Sequence, residues 1–383
     1  ARDHYLEHPN RKFCNPYHHL GLVNPPPPSS LSSSSGFASL RCLASSSVEE
    51  EEENMCPGSV ESSSAAAAGK SVCVMDAAGP LGHALVDRLL RRGYTVHAAT
   101  YARDGEEGAA AAALLGHLSR AADACRHRLK LFRADPFDYH AIADAVRGCA
   151  GVFCMFNTPE DQAQCDESTV ETEVRAAHNV LEACAQTDAM ERVVFTSSVT
   201  AVVWSGAGAG VGAHREEVAD ERSWSDLAFC RKFKLWHALA KTLSEKTAWA
   251  LAMDRGVDMV AINAGLLLSA PGPGLGLTAA HPYLKGAPDM YDGGVLATVD
   301  VGFLADAHVA AYESPTAYGR YLCFSDAVCR PEDAVKLAQM LSPAAPRSPP
   351  PSDELKVIPQ RIQGKKLNKL MLEFASGVYG ELD

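Results

Sequence analysis

From residue 71 the chain alternates short apolar runs with amphipathic helical stretches, and this rhythm limits the fold more than any other feature. "SVCVM" at 71–75 reads as a buried strand. "GPLGHALVDRLLRRG" at 79–93 reads as a helix, with Leu81, Leu85 and Leu89 at i, i+4 spacing and Gly93 as its C-terminal cap. "YTVHAA" (94–99), "LKLFRA" (129–134), "GVFCMF" (151–156), "RVVFTSS" (192–198) and "VDMVAIN" (257–263) read as further strands. Between them lie helical stretches at "YHAIADAVRG", across about 169–186, and in a long segment containing "KLWHALAK" (234–241). Strand-helix alternation of this kind implies an α/β fold, a Rossmann-type doubly wound parallel sheet with strands buried on both faces. After residue 263 the rhythm loosens into Gly/Pro-rich loops and shorter elements, which reads as a smaller C-terminal substrate lobe. The expected organisation is therefore a nucleotide-binding core at 70–263, then substrate lobe and C-terminal extension at 264–383.

Residues 1–69 have a different character. They contain "NPPPPSSLSSSS", five consecutive glutamates (Glu49 to Glu53) and "ESSSAAAAGK", a composition that cannot bury enough surface to offset chain entropy. We read 1–69 as a disordered leader. Within it, 1–54 reads as extra to the native protein, with Met55 opening the natural start. A Ser-rich transit peptide is the rival reading, and the glutamates and prolines count against it. His4, His8, Cys14, His18 and His19 show no tetrahedral ligand spacing, so no metal site is assigned.

Bulk properties exclude several functions. The net charge of −12, with no basic stripe, argues against nucleic acid and anionic membrane surfaces as partners. No apolar run approaches the roughly 18 residues of a membrane span. Twelve scattered cysteines without a C-x-x-C pair fit reduced thiols in a cytoplasmic protein.

The first strand runs into "MDAAGPLG" (75–82). A Gly-rich turn at this place lets backbone amides approach a pyrophosphate at a helix N-terminus. Gly79, Pro80, Leu81 and Gly82 are the candidate cofactor-binding residues; a tight turn that binds nothing is the alternative. The first glycine position holds Asp76, which tolerates a left-handed backbone but brings a carboxylate near the phosphates. Arg103 is the one cation near the end of the second strand, beside His97 and Tyr101, and is the candidate for a 2′-phosphate; a solvated loop role is equally open. Asp135, at the tip of the third strand, either reaches an adenine amino group or caps a turn.

The segments "GYTVHAAT", "RADPFDY", "HNVLEAC", "RVVFTSSVTAV", "DERSWSDLAFCRKFKLW", "KTLSEKTAW", "RGVDMVAIN", "LADAHVAAYE" and "GRYLCFSD" together carry a resemblance. The chain resembles the plant cinnamoyl-CoA reductase and dihydroflavonol reductase group of the extended short-chain dehydrogenase/reductase family, over about residues 71–340. The resemblance implies NADP(H), with NAD(H) left open, and hydride transfer to a phenylpropanoid-like thioester or carbonyl of the kind that feeds lignin synthesis. It also implies a catalytic Ser, Tyr and Lys, which map to Ser198, His237 and Lys241. Asn179 maps to a residue of the site's water network; a helix contact is its alternative role.

His237 stands where the family has tyrosine. Imidazole is shorter than phenol, so its tip falls short of the substrate oxygen unless a water or a backbone shift intervenes. A neighbouring lysine pushes its pKa below the usual ~6.5, so it is expected to be neutral and a poor acid. Other departures share the cleft: Asp76, Tyr101, Leu239, the Asn263–Ala264 pair and an added loop "SGAGAGVGAH" (205–214). Two functions therefore stand side by side. One is an atypical reductase using Ser198, His237 and Lys241, as monomer or dimer. The other is a catalytically inactive Rossmann protein that binds a nucleotide or a protein partner and regulates.

Overall fold

The computed structural model describes residues 69–100, 112–116, 118–156, 165–205, 218–268, 281–341 and 357–376. The leader at 1–68, its histidine cluster, Tyr101, Arg103 and most of the added loop lie outside the described residues.

Seven strands form one all-parallel sheet. They are β1 (Ser71–Met75), β2 (Thr95–Thr100), β3 (Leu129–Arg133), β4 (Gly151–Cys154), β5 (Arg192–Ser198), β6 (Met259–Ala264) and β9 (Gly319–Cys323), in the order β3-β2-β1-β4-β5-β6-β9. The order reverses between β1 and β4. In such sheets ligands bind in the crevice beyond the carboxyl ends of the strands at that switch point. β1 and β4 are buried almost throughout, because helices cover both faces.

The first helix, α1 (Pro80–Arg91), starts on a proline whose missing N–H costs nothing there. Its buried stripe is Leu81, Leu85, Val86, Leu89 and Leu90. It ends where Gly93 takes φ +100°, with Tyr94 N–H donating to the Leu89 carbonyl and Gly93 N–H to that of Leu90. This is a Schellman closure, for which glycine is suited. Next come α2 (Arg120–Ala124), α3 (Tyr139–Val146) and the 19-residue α4 (Glu167–Ala185). They are followed by α5 (Leu227–Lys232) and the 20-residue α6 (Trp236–Arg255), which carries "WHALAK". The longest mutual contact among helices is α4 against α6, on one face of the sheet.

The C-terminal third serves both parts of the molecule. β7 (Leu266–Leu268), β8 (Ala297–Asp300) and β10 (Asp326–Ala327) make a second, three-stranded sheet. With α7 (Ala287–Asp292) and α9 (Pro331–Leu341) it encloses a separate core around Trp204, Leu239, Tyr283, Leu296 and Ile362. The chain also returns to the main sheet: α8 (Val301–Glu313) packs on α1, and β9 pairs with β6. The last described helix, α10 (Lys365–Ser376), packs on α8 and β9. Among the described residues no helix is long and apolar enough to cross a membrane.

His308 on α8 is fully buried behind β5. Its Nδ1–H donates to the Leu304 carbonyl at 2.7 Å, so Nε2 is left to accept from the Thr196 hydroxyl at 2.7 Å. Burial pushes its pKa down to about 4, against a weaker upward effect of the Leu304 bond. The unfolded chain takes up this proton near pH 6.5 and the folded one only near 4, so acid favours unfolding. Stability attributable to His308 should be intact above pH 6.5 and fall by about 2–3 kcal/mol between pH 7 and pH 4.5. Urea unfolding of wild type and His308→Asn at both pH values checks this. A variant with the wild-type pH slope would contradict it.

Candidate active site

The turn after β1 is built for close approach. Asp76 has φ +56°, a left-handed conformation that aspartate tolerates better than most side chains. The Ala77 amide is tied to the Ala99 carbonyl of β2 at 2.9 Å. A Cβ on Gly82 would lie 2.4 Å from the Asp76 carbonyl oxygen and 2.7 Å from the Ala77 Cα, so only glycine lets α1 sit this near the turn. Gly79 caps α1 with no side-chain bond, and Pro80 follows at the first helical position. The first turn of a helix leaves its amides without intrahelical partners, here those of Leu81 and Gly82. Gly79, Pro80, Leu81 and Gly82 thus form a backbone cradle that fits a pyrophosphate. Among the described residues of this turn, Asp76 is the acidic one, and a negative charge opposes a phosphate.

Ser198 closes β5 and is buried. Its Oγ accepts from the Thr200 amide at 3.1 Å and from the Thr200 hydroxyl at 2.9 Å. The same Thr200 hydroxyl lies 3.1 Å from Nδ1 of His237, in the first turn of α6. His237, half-buried, packs edge-on against the rings of Tyr283 at 6.0 Å and His281 at 6.5 Å. Burial, then Lys241, then His281 hold its pKa well below the ordinary value. His281 is also shifted down, by burial and then by Lys241. Its Nδ1 accepts from the Tyr283 amide at 3.2 Å.

Lys241 lies one turn further along α6, on the same face as His237. Its Nζ donates to the Phe156 carbonyl at 2.8 Å, just past the end of β4, and pairs with Glu173 of α4 at 3.0 Å. Both side chains are nearly inaccessible. Burial pushes the Glu173 carboxyl up, and Lys241 opposes that shift. The arrangement offers one fixed cation at the switch point and one chain of hydroxyl and imidazole groups beside it.

The structure thus brings Ser198, His237 and Lys241 together beyond the carboxyl ends of β4 and β5. Asp135 is used as a turn residue, its Oδ1 accepting from the Phe137 amide at 2.8 Å. Asn179 makes the helix contact, donating to the Pro136 carbonyl at 2.8 Å and tying α4 to that turn. His97 faces away from the cleft, bonded to the Ala145 carbonyl at 2.8 Å. Two residues of the cleft escaped the sequence reading. Thr200 stands in "TSSVTAV" without a motif of its own. Glu173 did leave a signal: it lies three residues after Val170 and three before Ala176, on the buried stripe of α4. A charge on an apolar stripe demands a partner.

A parallel sheet with this strand order and a glycine turn at the switch point define a Rossmann-type fold. The sequence profile of the NAD dependent epimerase/dehydratase family matches residues 72–276. Cinnamoyl-CoA reductase 1 of Petunia hybrida is 36% identical over 315 residues, covering 80% of this chain and 88% of that protein. Cinnamoyl-CoA reductase 1 of Arabidopsis thaliana is also 36% identical, covering 81% and 86%. The crystal structure of vestitone reductase from alfalfa (Medicago sativa L.) is similar with a TM-score of 0.54 and 25% identity, over 78% of this chain and 91% of that one. The chain belongs to the NAD dependent epimerase/dehydratase family, and its curated relatives include cinnamoyl-CoA reductases.

Proposed function

We propose that this protein is a reductase that uses NADP(H) to reduce the carbonyl or thioester of a small phenylpropanoid-like molecule in the cytoplasm. The observation that carries the reading is the place of Lys241. Its ammonium group is fixed at the Phe156 carbonyl, at the end of the strand next to β1 and its glycine turn. A cation there is suited to hydrogen-bond the hydroxyls of a nicotinamide ribose. The Gly79–Gly82 cradle would hold the pyrophosphate, and Ser198 would donate to the substrate oxygen. When bound, the reduced nicotinamide supplies a hydride. The names of the relatives support the substrate class.

His237 in the tyrosine position supports a second reading, a nucleotide-binding protein that has lost turnover and serves regulation. Burial, Lys241 and His281 hold its pKa well below the ordinary value, so at neutral pH the ring is mostly neutral imidazole, a poor proton donor.

Titration of the purified protein with NADPH and NADH, followed by nicotinamide fluorescence and then by rapid mixing with a hydroxycinnamoyl thioester or aldehyde, tests both readings. The expected result is sub-millimolar NADPH binding and oxidation of the bound cofactor. Binding without oxidation would favour the regulatory reading, and no binding would sink both.

A further inference from the structure

The short imidazole poses a problem that the structure answers with Thr200. Ser198 Oγ has two lone pairs, and Thr200 fills both, one through its amide and one through its hydroxyl. The single serine proton is then left for a third group. The Thr200 hydroxyl has one proton, and it is spent on Ser198. Toward His237 the threonine oxygen must therefore accept, so the neutral imidazole carries its proton on Nδ1.

We propose that Thr200 relays a proton from His237 Nδ1 to Ser198, so that the serine hydroxyl is the immediate donor to the substrate oxygen. The inference rests on the reductase reading, in which the carbonyl carbon receives the hydride from the nicotinamide cofactor and the carbonyl oxygen gains the electron pair. That oxygen takes the Ser198 proton. Ser198 takes the Thr200 proton, and Thr200 takes the proton from His237 Nδ1. Nε2 takes one proton from solvent, which leaves the ring neutral as its other tautomer until the chain resets. One solvent proton is consumed per carbonyl reduced. The serine spans the gap that the imidazole cannot. Burial of His237 does not block the relay, because the ring passes a proton along without becoming a standing cation. Among the described residues, the charged and titratable groups around it are Lys241 on its own helix, and His281 and Tyr283 from the substrate lobe. The first two disfavour a standing imidazolium.

Thr200 is thus a positioning residue that acts through Ser198. The test pairs a spectroscopic readout on the cofactor-free protein with turnover. Nitrogen-15 spectra of the His237 ring at pH 7 should show the Nδ1–H tautomer in wild type and in Thr200→Ser. Thr200→Ala should lose that tautomer preference and lower kcat about 10²-fold, with KM for NADPH unchanged. Thr200→Ser should keep kcat near wild type. An Nε2–H tautomer in wild type, or a Thr200→Ala protein with wild-type kcat, would overturn the relay while leaving the reductase reading standing. Absence of hydride transfer in the wild type would overturn the reductase reading and the relay's role with it.

Discussion

Arg320→Met should lower the free energy of unfolding by about 3–5 kcal/mol, the range for breaking one side of a buried ion pair. Glu245 of α6 is fully inaccessible, and Arg320 of β9 is 7% exposed. Arg320 Nε reaches Glu245 Oε1 at 2.6 Å and Nη2 reaches Oε2 at 3.2 Å, a two-pronged contact. Glu245 also accepts from the Ser197 hydroxyl at 2.6 Å and from the Asn263 amide at 2.8 Å. The guanidinium donates further to the carbonyls of Glu221 and Ser223 and lies 3.7 Å from the centre of the Trp224 ring. One ion pair thus joins β5, β6, β9, α6 and the segment before α5. Removing the arginine strands a carboxylate, two carbonyls and an indole face together. The exposed pair Arg91–Asp87 is the control, and Arg91→Ala should cost less than about 0.5 kcal/mol. Urea unfolding followed by circular dichroism reads both. A loss under about 1 kcal/mol for Arg320→Met would refute the buried-pair account.

Lys241→Met should be nearly as costly to stability and should also weaken cofactor binding. Glu173 would then be buried with no cation, a loss of about 3–5 kcal/mol. Its carboxyl pKa, already pushed up by burial, would lose the opposing pull of Lys241. A carboxyl whose folded pKa is raised is tolerated when protonated, so the deficit should shrink as pH falls through that raised value. Adding Glu173→Leu removes the stranded charge, and the double variant should recover most of the lost stability. It should not recover NADPH affinity, which should stay roughly 10- to 100-fold weaker because a charge-assisted bond to the ribose is gone. Thermal melts and NADPH titrations of the three proteins separate the two effects. Recovery of affinity in the double variant would remove Lys241 from the cofactor site.

Most of the framework was legible in the sequence because strand burial and helix periodicity are local patterns. The run at 71–75 and the run at 192–198 match β1 and β5. The helix at 79–93 is α1 with its glycine closure. Boundaries shifted by one or two residues where caps decide them: "YTVHAA" begins one residue later because Tyr94 belongs to the helix closure. The return of residues 301–323 to the main sheet was not legible. Nothing local tells β9 that its neighbour is β6. In the site, motif residues announced themselves, whereas Thr200 became visible only through its partners, and Glu173 showed in the sequence only as a charge on an apolar stripe, with its partner unspecified. Both act by hydrogen bonds across elements, and such pairing has no period along the chain.

Under the proposed function, this cleft moves a hydride onto a carbonyl despite the imidazole at position 237. The most direct measurement is a single turnover with NADPH carrying deuterium at the transferring position, mixed with a hydroxycinnamoyl thioester and with the corresponding aldehyde. The account predicts loss of the reduced-nicotinamide absorbance and deuterium on the former carbonyl carbon of the product. NADPH that binds and stays reduced with both acceptors would contradict it.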